Sequence, residues 1–204
     1  MKNFILKNTL YWVTVLSVIV AVYTMVCWST MPVLQRMVCL FFIGLVLHLW
    51  EESKIPGGFT EMITKSLNFT QINPHFGEGI TVILVLVIAF VPIFFPGVVF
   101  LAVAPMLLGI LELVAHLAAI RMNASKRFYS PGLVTAALVL VPISVYSLVY
   151  VVQNDLMKPM WWLYSFWYML FGLLMAQQIV VRTSGMKYSD FLKNVRSALF
   201  GSKK

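Results

Sequence analysis

Charge is what this chain most lacks. Of 204 residues, 11% are Asp, Glu, Lys or Arg, and the acids number seven. Apolar residues make up 61%, and the mean hydropathy is +0.90. A soluble domain of this size needs a polar surface that these residues cannot supply. Folded in water, the chain would expose a very large apolar area. There are no internal repeats, no low-complexity segments and no second domain. With two cysteines and three histidines, a disulfide scaffold is excluded, and every histidine is worth locating.

What the chain has is long apolar runs. A membrane helix needs about 20 mostly apolar residues, and six candidates occur, at 10–30, 33–52, 80–95, 98–120, 133–152 and 161–181. They predict an all-α fold: one polytopic helical bundle over residues 1–181, followed by a basic tail over 182–204. Spans three and four are separated by nothing charged, only by Phe94-Phe95-Pro96-Gly97. Pro-Gly marks a tight turn. Without it, the run from Ile80 to Ile120 would be one helix roughly 60 Å long, twice what a bilayer needs. The first run follows Lys2 and Lys7, as in a secretion signal. It is about 21 residues long with no small-x-small cleavage site, so it reads as a retained span.

Orientation follows from the cations. With the N-terminus in the cytoplasm, the outer segments hold only Arg36 and Lys158, and the other thirteen of fifteen cations lie inside. These include Lys2, Lys7, Lys54, Lys65, Arg121, Lys126, Arg127, Lys203 and Lys204. Only an even number of spans with both termini cytoplasmic gives that partition. The net charge of +8 therefore reads as topology in the cell (inner) membrane plus affinity for anionic lipid. It does not read as nucleic-acid binding, because no soluble domain carries a basic and aromatic surface. The tail is expected along the membrane surface. Phe59–Leu67 is expected as a short amphipathic helix in the longest inner connection. Cys27 and Cys39 fall toward the outer ends of spans one and two. A bridge across that hairpin is open to them, and buried free thiols are the commoner outcome.

The scarce ionisable groups are not scattered. His48, Glu51 and Glu52 close span two, Glu112 and His116 lie inside span four, and His75 and Glu78 precede span three. Ionisable groups in hydrocarbon cost several kcal/mol unless they are paired, wet or bound to something. His48 stands at i, i+3 to Glu51 and at i, i+4 to Glu52, and Glu112 stands at i, i+4 to His116, so each set can share a helix face. Spans two and four run the same way. His48 lies about 9 Å before Lys54 along its helix, and His116 about 7.5 Å before Arg121, so the two sets share a depth in the inner leaflet. Imidazole and carboxylate on facing helices are a common way to hold zinc, with one position left for water, or iron and manganese. A cation there would also offset the charge of the buried glutamates. The plainer readings are a wet helix end at His48-Glu51-Glu52, a hydrogen-bonded staple at Glu112–His116, and an ordinary helix start at His75 and Glu78.

His48-Leu49-Trp50-Glu51-Glu52 resembles the signature of the HXXEE family of small polytopic membrane proteins. Glu112-Leu-Val-Ala-His116 and Arg127-Phe-Tyr129-Ser-Pro131-Gly132-Leu-Val-Thr135 resemble that family's further blocks, in the same order. Where the family pattern often has an amide or another polar residue, this chain has Glu112, which adds a carboxylate. The resemblance implies a helical membrane fold and carries no activity. Physically, Ser130-Pro131-Gly132 reads as a helix-starting turn, and Tyr129 as an interfacial anchor or a hydrogen-bonding neighbour of the site.

These residues lead to a metal-dependent enzyme acting on a lipid or membrane-bound substrate. His48, Glu52 and His116 hold a divalent transition metal (zinc, or iron or manganese), and Glu51 or Glu112 serves as a further ligand or catalytic base. All five are expected in one polar cavity open to the cytoplasm, with the imidazoles within about 8 Å of each other. A metal-free glutamate-dependent intramembrane hydrolase is an alternative. It is disfavoured because Ile55-Pro56 stands where such enzymes carry arginine. Cation or proton transport is another, and the spans show no paired broken helices of the kind it uses. The substrate and the oligomeric state stay open. The topology is directly testable: reporter fusions at Asp155 and at Lys204 should report opposite sides of the membrane, and the same side for both would end the six-span arrangement.

Overall fold

The computed structural model describes residues 2–69, 73–122 and 128–201. Lys126, Arg127, Lys203 and Lys204, counted above among the inner cations, lie outside the described residues. The rest is helical, with no strand among the described residues. Six helices are long and apolar enough to cross a membrane: Thr9–Val26, Val33–Ser53, His75–Phe94, Val99–Met122, Leu133–Gln153 and Pro159–Thr183. The chain is a multi-pass helical membrane protein.

Span three begins well before the apolar run at Ile80. The Asn73 side chain accepts from the backbone N–H groups of His75 and Phe76, and Pro74 takes the first helical position. Both devices start helices, because the first turn has N–H groups without intrahelical partners and proline brings no N–H to waste. The polar turn carrying His75 and Glu78 therefore belongs to the helix. Phe95-Pro96-Gly97 forms the tight turn to span four.

Span two is the centre of the bundle. Its apolar window is 61% buried within the protein, against 17% for span six, so span six mostly faces lipid. Val38, Cys39, Phe41 and Phe42 on span two are fully enclosed and join Ile88, Val103, Met106, Leu140 and Val151 in one core. Close approach of the spans depends on small residues, as is usual where lipid offers no competing hydrophobic drive. At Gly109 in span four, a Cβ would lie 2.6 Å from Phe41 Cε2 and collide with the Ser144 hydroxyl of span five. Cys27 and Cys39 are both free thiols.

Spans three and five carry the same interruption. A π turn at Leu86–Phe90 precedes Val91-Pro92-Ile93, and a π turn at Ala136–Leu140 precedes Val141-Pro142-Ile143. Proline cannot donate to the carbonyl four residues back, and a π turn is one way to absorb that missing bond within a helix. In hydrocarbon the disturbed backbone carbonyls need other donors. In span three they find them: Tyr168 Oη donates to Val87 O at 2.7 Å, and Gln35 Nε2 donates to Ile93 O at 2.9 Å.

Three short helices lie at the cation-rich end: Lys2–Lys7, Phe59–Ser66 and Tyr188–Phe200. The tail helix turns apolar residues onto the protein. Phe191 packs with Leu67, Phe69 and Val181, and Asn194 Nδ2 donates to Leu67 O at 2.9 Å. The tail thus holds the inner connection between spans two and three against the bundle. The crossing at Gly109 yields a stability prediction. Gly109→Ala should destabilise the detergent-solubilised protein by about 1–3 kcal/mol, the usual cost of overpacking, read as a lower thermal midpoint. An unchanged midpoint would mean that spans two, four and five cross less closely than this.

Candidate metal centre

Span two reaches the inner side at His48-Leu49-Trp50-Glu51-Glu52, and helical phase sorts the three ionisable groups. At 3.6 residues per turn, Glu52 lies roughly 40° to one side of His48 and Glu51 roughly 60° to the other. The two glutamates therefore point about 100° apart. Glu52 turns with His48 toward span four. Glu51 turns toward the start of span five.

Four of the five expected groups converge. His48 and His116 are buried, at 1% and 0% exposure, and their rings meet edge to face with centroids 5.0 Å apart. The Nε2 atoms face each other at 3.4 Å. Glu52 Oε1 lies 3.7 Å from His48 Nε2 and 3.5 Å from His116 Nε2. Glu112 Oε2 lies 3.8 Å from His48 Nε2. Phe59, the first residue of the short inner helix, covers the His116 ring at a centroid distance of 4.8 Å. His75 and Glu78 stay outside. They pair with each other at 3.2 Å and are substantially exposed.

Those spacings can be weighed. They are long for good hydrogen bonds, which peak near 2.9 Å. Tetrahedral zinc with ligand bonds of about 2.0–2.1 Å sets neighbouring ligand atoms about 3.3–3.4 Å apart. His48, Glu52 and His116 each offer one ligand atom, and these lie mutually within 4.8 Å. Their closest donor distances of 3.4, 3.5 and 3.7 Å are within a few tenths of that edge. The group has the donors and the spacing to hold a metal ion.

The expected shared cavity needs correction at Glu51, whose carboxylate lies outside the cluster because of the helical phase above. It accepts four hydrogen bonds: Tyr129 Oη at 2.6 Å, Val134 N at 3.1 Å, Thr135 N at 2.7 Å and Thr135 Oγ1 at 2.5 Å. The two backbone donors belong to the first turn of span five, where N–H groups have no helical partner and the dipole favours an anion. Glu51 thus caps one span from another. Tyr129, half-buried in the connecting loop, is held protonated as a donor: burial, then its bond to the Glu51 carboxylate, push its phenol up to about 12.

The loop before span five also orients both imidazoles. His48 Nδ1 lies 2.9 Å from Thr135 Oγ1, and His116 Nδ1 lies 2.9 Å from Ser130 Oγ. An ionised carboxylate and a backbone carbonyl only accept, so the single Thr135 hydroxyl proton goes to Glu51 or to Gly132 O at 3.2 Å. Thr135 Oγ1 can then only accept from His48, which requires Nδ1–H and leaves the His48 Nε2 lone pair free toward the cluster. In the matching tautomer, His116 would donate Nδ1–H to Ser130 and free its Nε2 in the same way. Hydrogen bonding to the far ring nitrogen is how metal-ligating histidines are usually oriented. Gly132, at φ +101°, permits the approach. A Cβ there would lie 2.8 Å from His48 Cε1 and 2.6 Å from His116 Nε2.

The sequence marks Ser130 and Gly132 as part of a helix-starting turn, holds Thr135 only within the resembling block, and offers a site role for Tyr129 as one option. Three of the four have chemistry that points to partners, but the partners lie on spans two and four, and no local spacing reveals that.

A small all-α membrane protein with a buried His48–Glu52–His116 group is the class that fold and site define. Over residues 39–147, just over half of the chain, it matches the family model described as "protein of unknown function with HXXEE motif". The chain belongs to that family. Comparison with curated proteins finds no match, and comparison with solved structures finds none either.

The Glu51 cap has a direct test. In Glu51→Gln an amide NH2 replaces one acceptor oxygen and meets donors head-on. The variant should lose about 1–3 kcal/mol of stability, the cost of leaving buried partners unsatisfied. A solvated base would be exchanged at little cost, so an unchanged thermal midpoint would overturn the capping role.

Proposed function

We infer that this protein is a membrane-embedded metalloenzyme, in which His48, Glu52 and His116 hold a divalent transition metal and Glu112 acts as the catalytic base. The observation that carries this reading is the set of three donor atoms spaced for one ion, with two imidazoles backed by hydroxyls of the loop before span five and of its first turn. Two nitrogen ligands favour zinc, iron or manganese over magnesium and calcium, which prefer oxygen shells. The fourth coordination position is left for water, as catalytic zinc sites leave it. A bound metal would make that water acidic enough to ionise near neutral pH, and Glu112, beside His48, is in place to take its proton. The substrate in this reading is a lipid or another membrane-bound molecule, because the cluster sits within the spans. The membrane is the cell (inner) membrane, which the cation distribution favours.

Glu51 we assign to positioning rather than to proton transfer, since its four bonds occupy the lone pairs a base would use. That counts against the metal-free hydrolase, which needs adjacent glutamates to work together. Cation or proton transport would use the same ligands and differs by coupled flux without turnover.

Metal stoichiometry is the deciding measurement. Protein purified in detergent without chelator should carry about one zinc, iron or manganese per chain by elemental analysis. His48→Ala and His116→Ala should each abolish it. Ser130→Ala removes only an orienting hydroxyl and should weaken affinity by about 10–100-fold; Thr135→Val, which also takes one bond from Glu51, should weaken it at least as much. Chelation should lower the thermal midpoint, and adding the metal back should restore it. No stoichiometric metal, together with no thermal shift on adding any of the three, would sink this reading.

A further inference from the structure

A second feature adjoins the cluster. Glu52, besides facing both imidazoles, forms part of the wall of a cleft at the cation-rich end of the bundle. The cleft has a volume of about 110 Å³ and opens to solvent. Its lining includes Lys7, at the end of the N-terminal short helix, and Lys54, directly after span two. Leu10, Leu49 and Val82, from spans one, two and three, line it as well. Glu78 also borders it and accepts from His75 Nδ1 at 3.2 Å, so among the described residues the lining carries two lysines and two carboxylates, Glu52 and Glu78.

We propose that this cleft, bordered by Lys7, Lys54 and Glu52, is a binding site for a lipid with an anionic phosphate headgroup, and that this lipid class is the substrate of the His48–Glu52–His116 centre. The inference rests on the functional reading above for the word substrate, and on the cleft alone for the lipid.

The chemistry of the wall is that of an amphiphile. Two ammonium groups at the membrane surface attract a phosphate, each with an energy comparable to thermal energy or more. Apolar side chains from three spans continue below them, where an acyl chain gains by leaving nothing wet. Depth then selects the bond presented to the cluster. Glu52 and His48 lie two and six residues deeper than Lys54 along span two, about 3 and 9 Å along the axis. The middle of the hydrocarbon lies about 15 Å from its edge. A phosphate held by Lys7 and Lys54 therefore sets the linkages just beneath the headgroup at the level of the cluster, and leaves the middle of the acyl chains beyond reach. That geometry points to headgroup-proximal hydrolysis over oxidation in mid-chain.

The test uses the full chain in a neutral detergent, with bound lipid counted by native mass spectrometry and metal content measured in every sample. Dioleoyl phosphatidate should bind about tenfold or more tightly than dioleoyl phosphatidylcholine. Lys7→Glu with Lys54→Glu should remove that preference, whereas the equal charge change Lys187→Glu with Lys193→Glu on the tail helix should leave it. Thr81→Trp, placing an indole in the cleft, should reduce phosphatidate binding without reversing any charge. Equal binding of the two lipids would overturn the proposal, as would a preference that survives the Lys7 and Lys54 reversal. Displacement of phosphatidate by inorganic phosphate at equal concentration would also overturn it, since the site would then take a soluble anion. Metal content separates this proposal from the one it rests on. Lipid preference without metal would retain the cleft and remove the metalloenzyme; metal without lipid preference would do the reverse.

Discussion

The arrangement turns on one buried carboxylate. Glu51 takes the free N–H groups that open span five, together with the Tyr129 and Thr135 hydroxyls. Within the spans neither partner could be left alone: an uncapped helix start and an unpaired anion each lose hydration that nothing else replaces. Joining them pins the loop before span five to span two. Once pinned, the loop brings Thr135 to His48 and Ser130 to His116, and Gly132 lets the backbone come close enough to do so. The imidazole orientations follow from a contact that neither imidazole makes.

The doubled glutamate of the motif gains a physical meaning from this. Consecutive residues on a helix diverge by about 100°, so Glu51 and Glu52 cannot serve one point in space. One anchors a neighbouring span and the other faces the cluster. The spacing of His48 to Glu52, at i, i+4, sets which one does which.

Much of this was legible before any coordinates. Six apolar runs and the partition of the cations define the bundle, and the matching depths of His48 and His116 bring their sets together. Three things were not legible. Hydropathy marks where a residue enters hydrocarbon, not where its helix begins, so span three was placed from Ile80 although the Asn73 cap starts it at Pro74. And i, i+3 places Glu51 near His48 without saying that a stronger partner, an open helix end, waits on its other side. The repeated π turn before Val-Pro-Ile was equally hidden, because three residues are too few to read as a repeat. In space they give the site a paired frame. Spans two and four descend carrying the ligands, and spans three and five return, each with a π turn before a proline.

The charge balance of the cluster bears on what it holds. Glu52 and Glu112 meet at imidazoles, and among the described residues no lysine or arginine forms an ion pair with either. Thr135 and Glu51 fix the His48 proton on Nδ1, so His48 offers the cluster a lone pair and no proton. Two acceptor carboxylates and a lone pair converging without a donor would repel. Either protons enter to separate them, which would leave the 3.4–3.8 Å gaps too long for strong bonds, or a cation fills the space between. A divalent ion would match the charge of two ionised carboxylates, and its ligand bonds of about 2 Å would span gaps of that size.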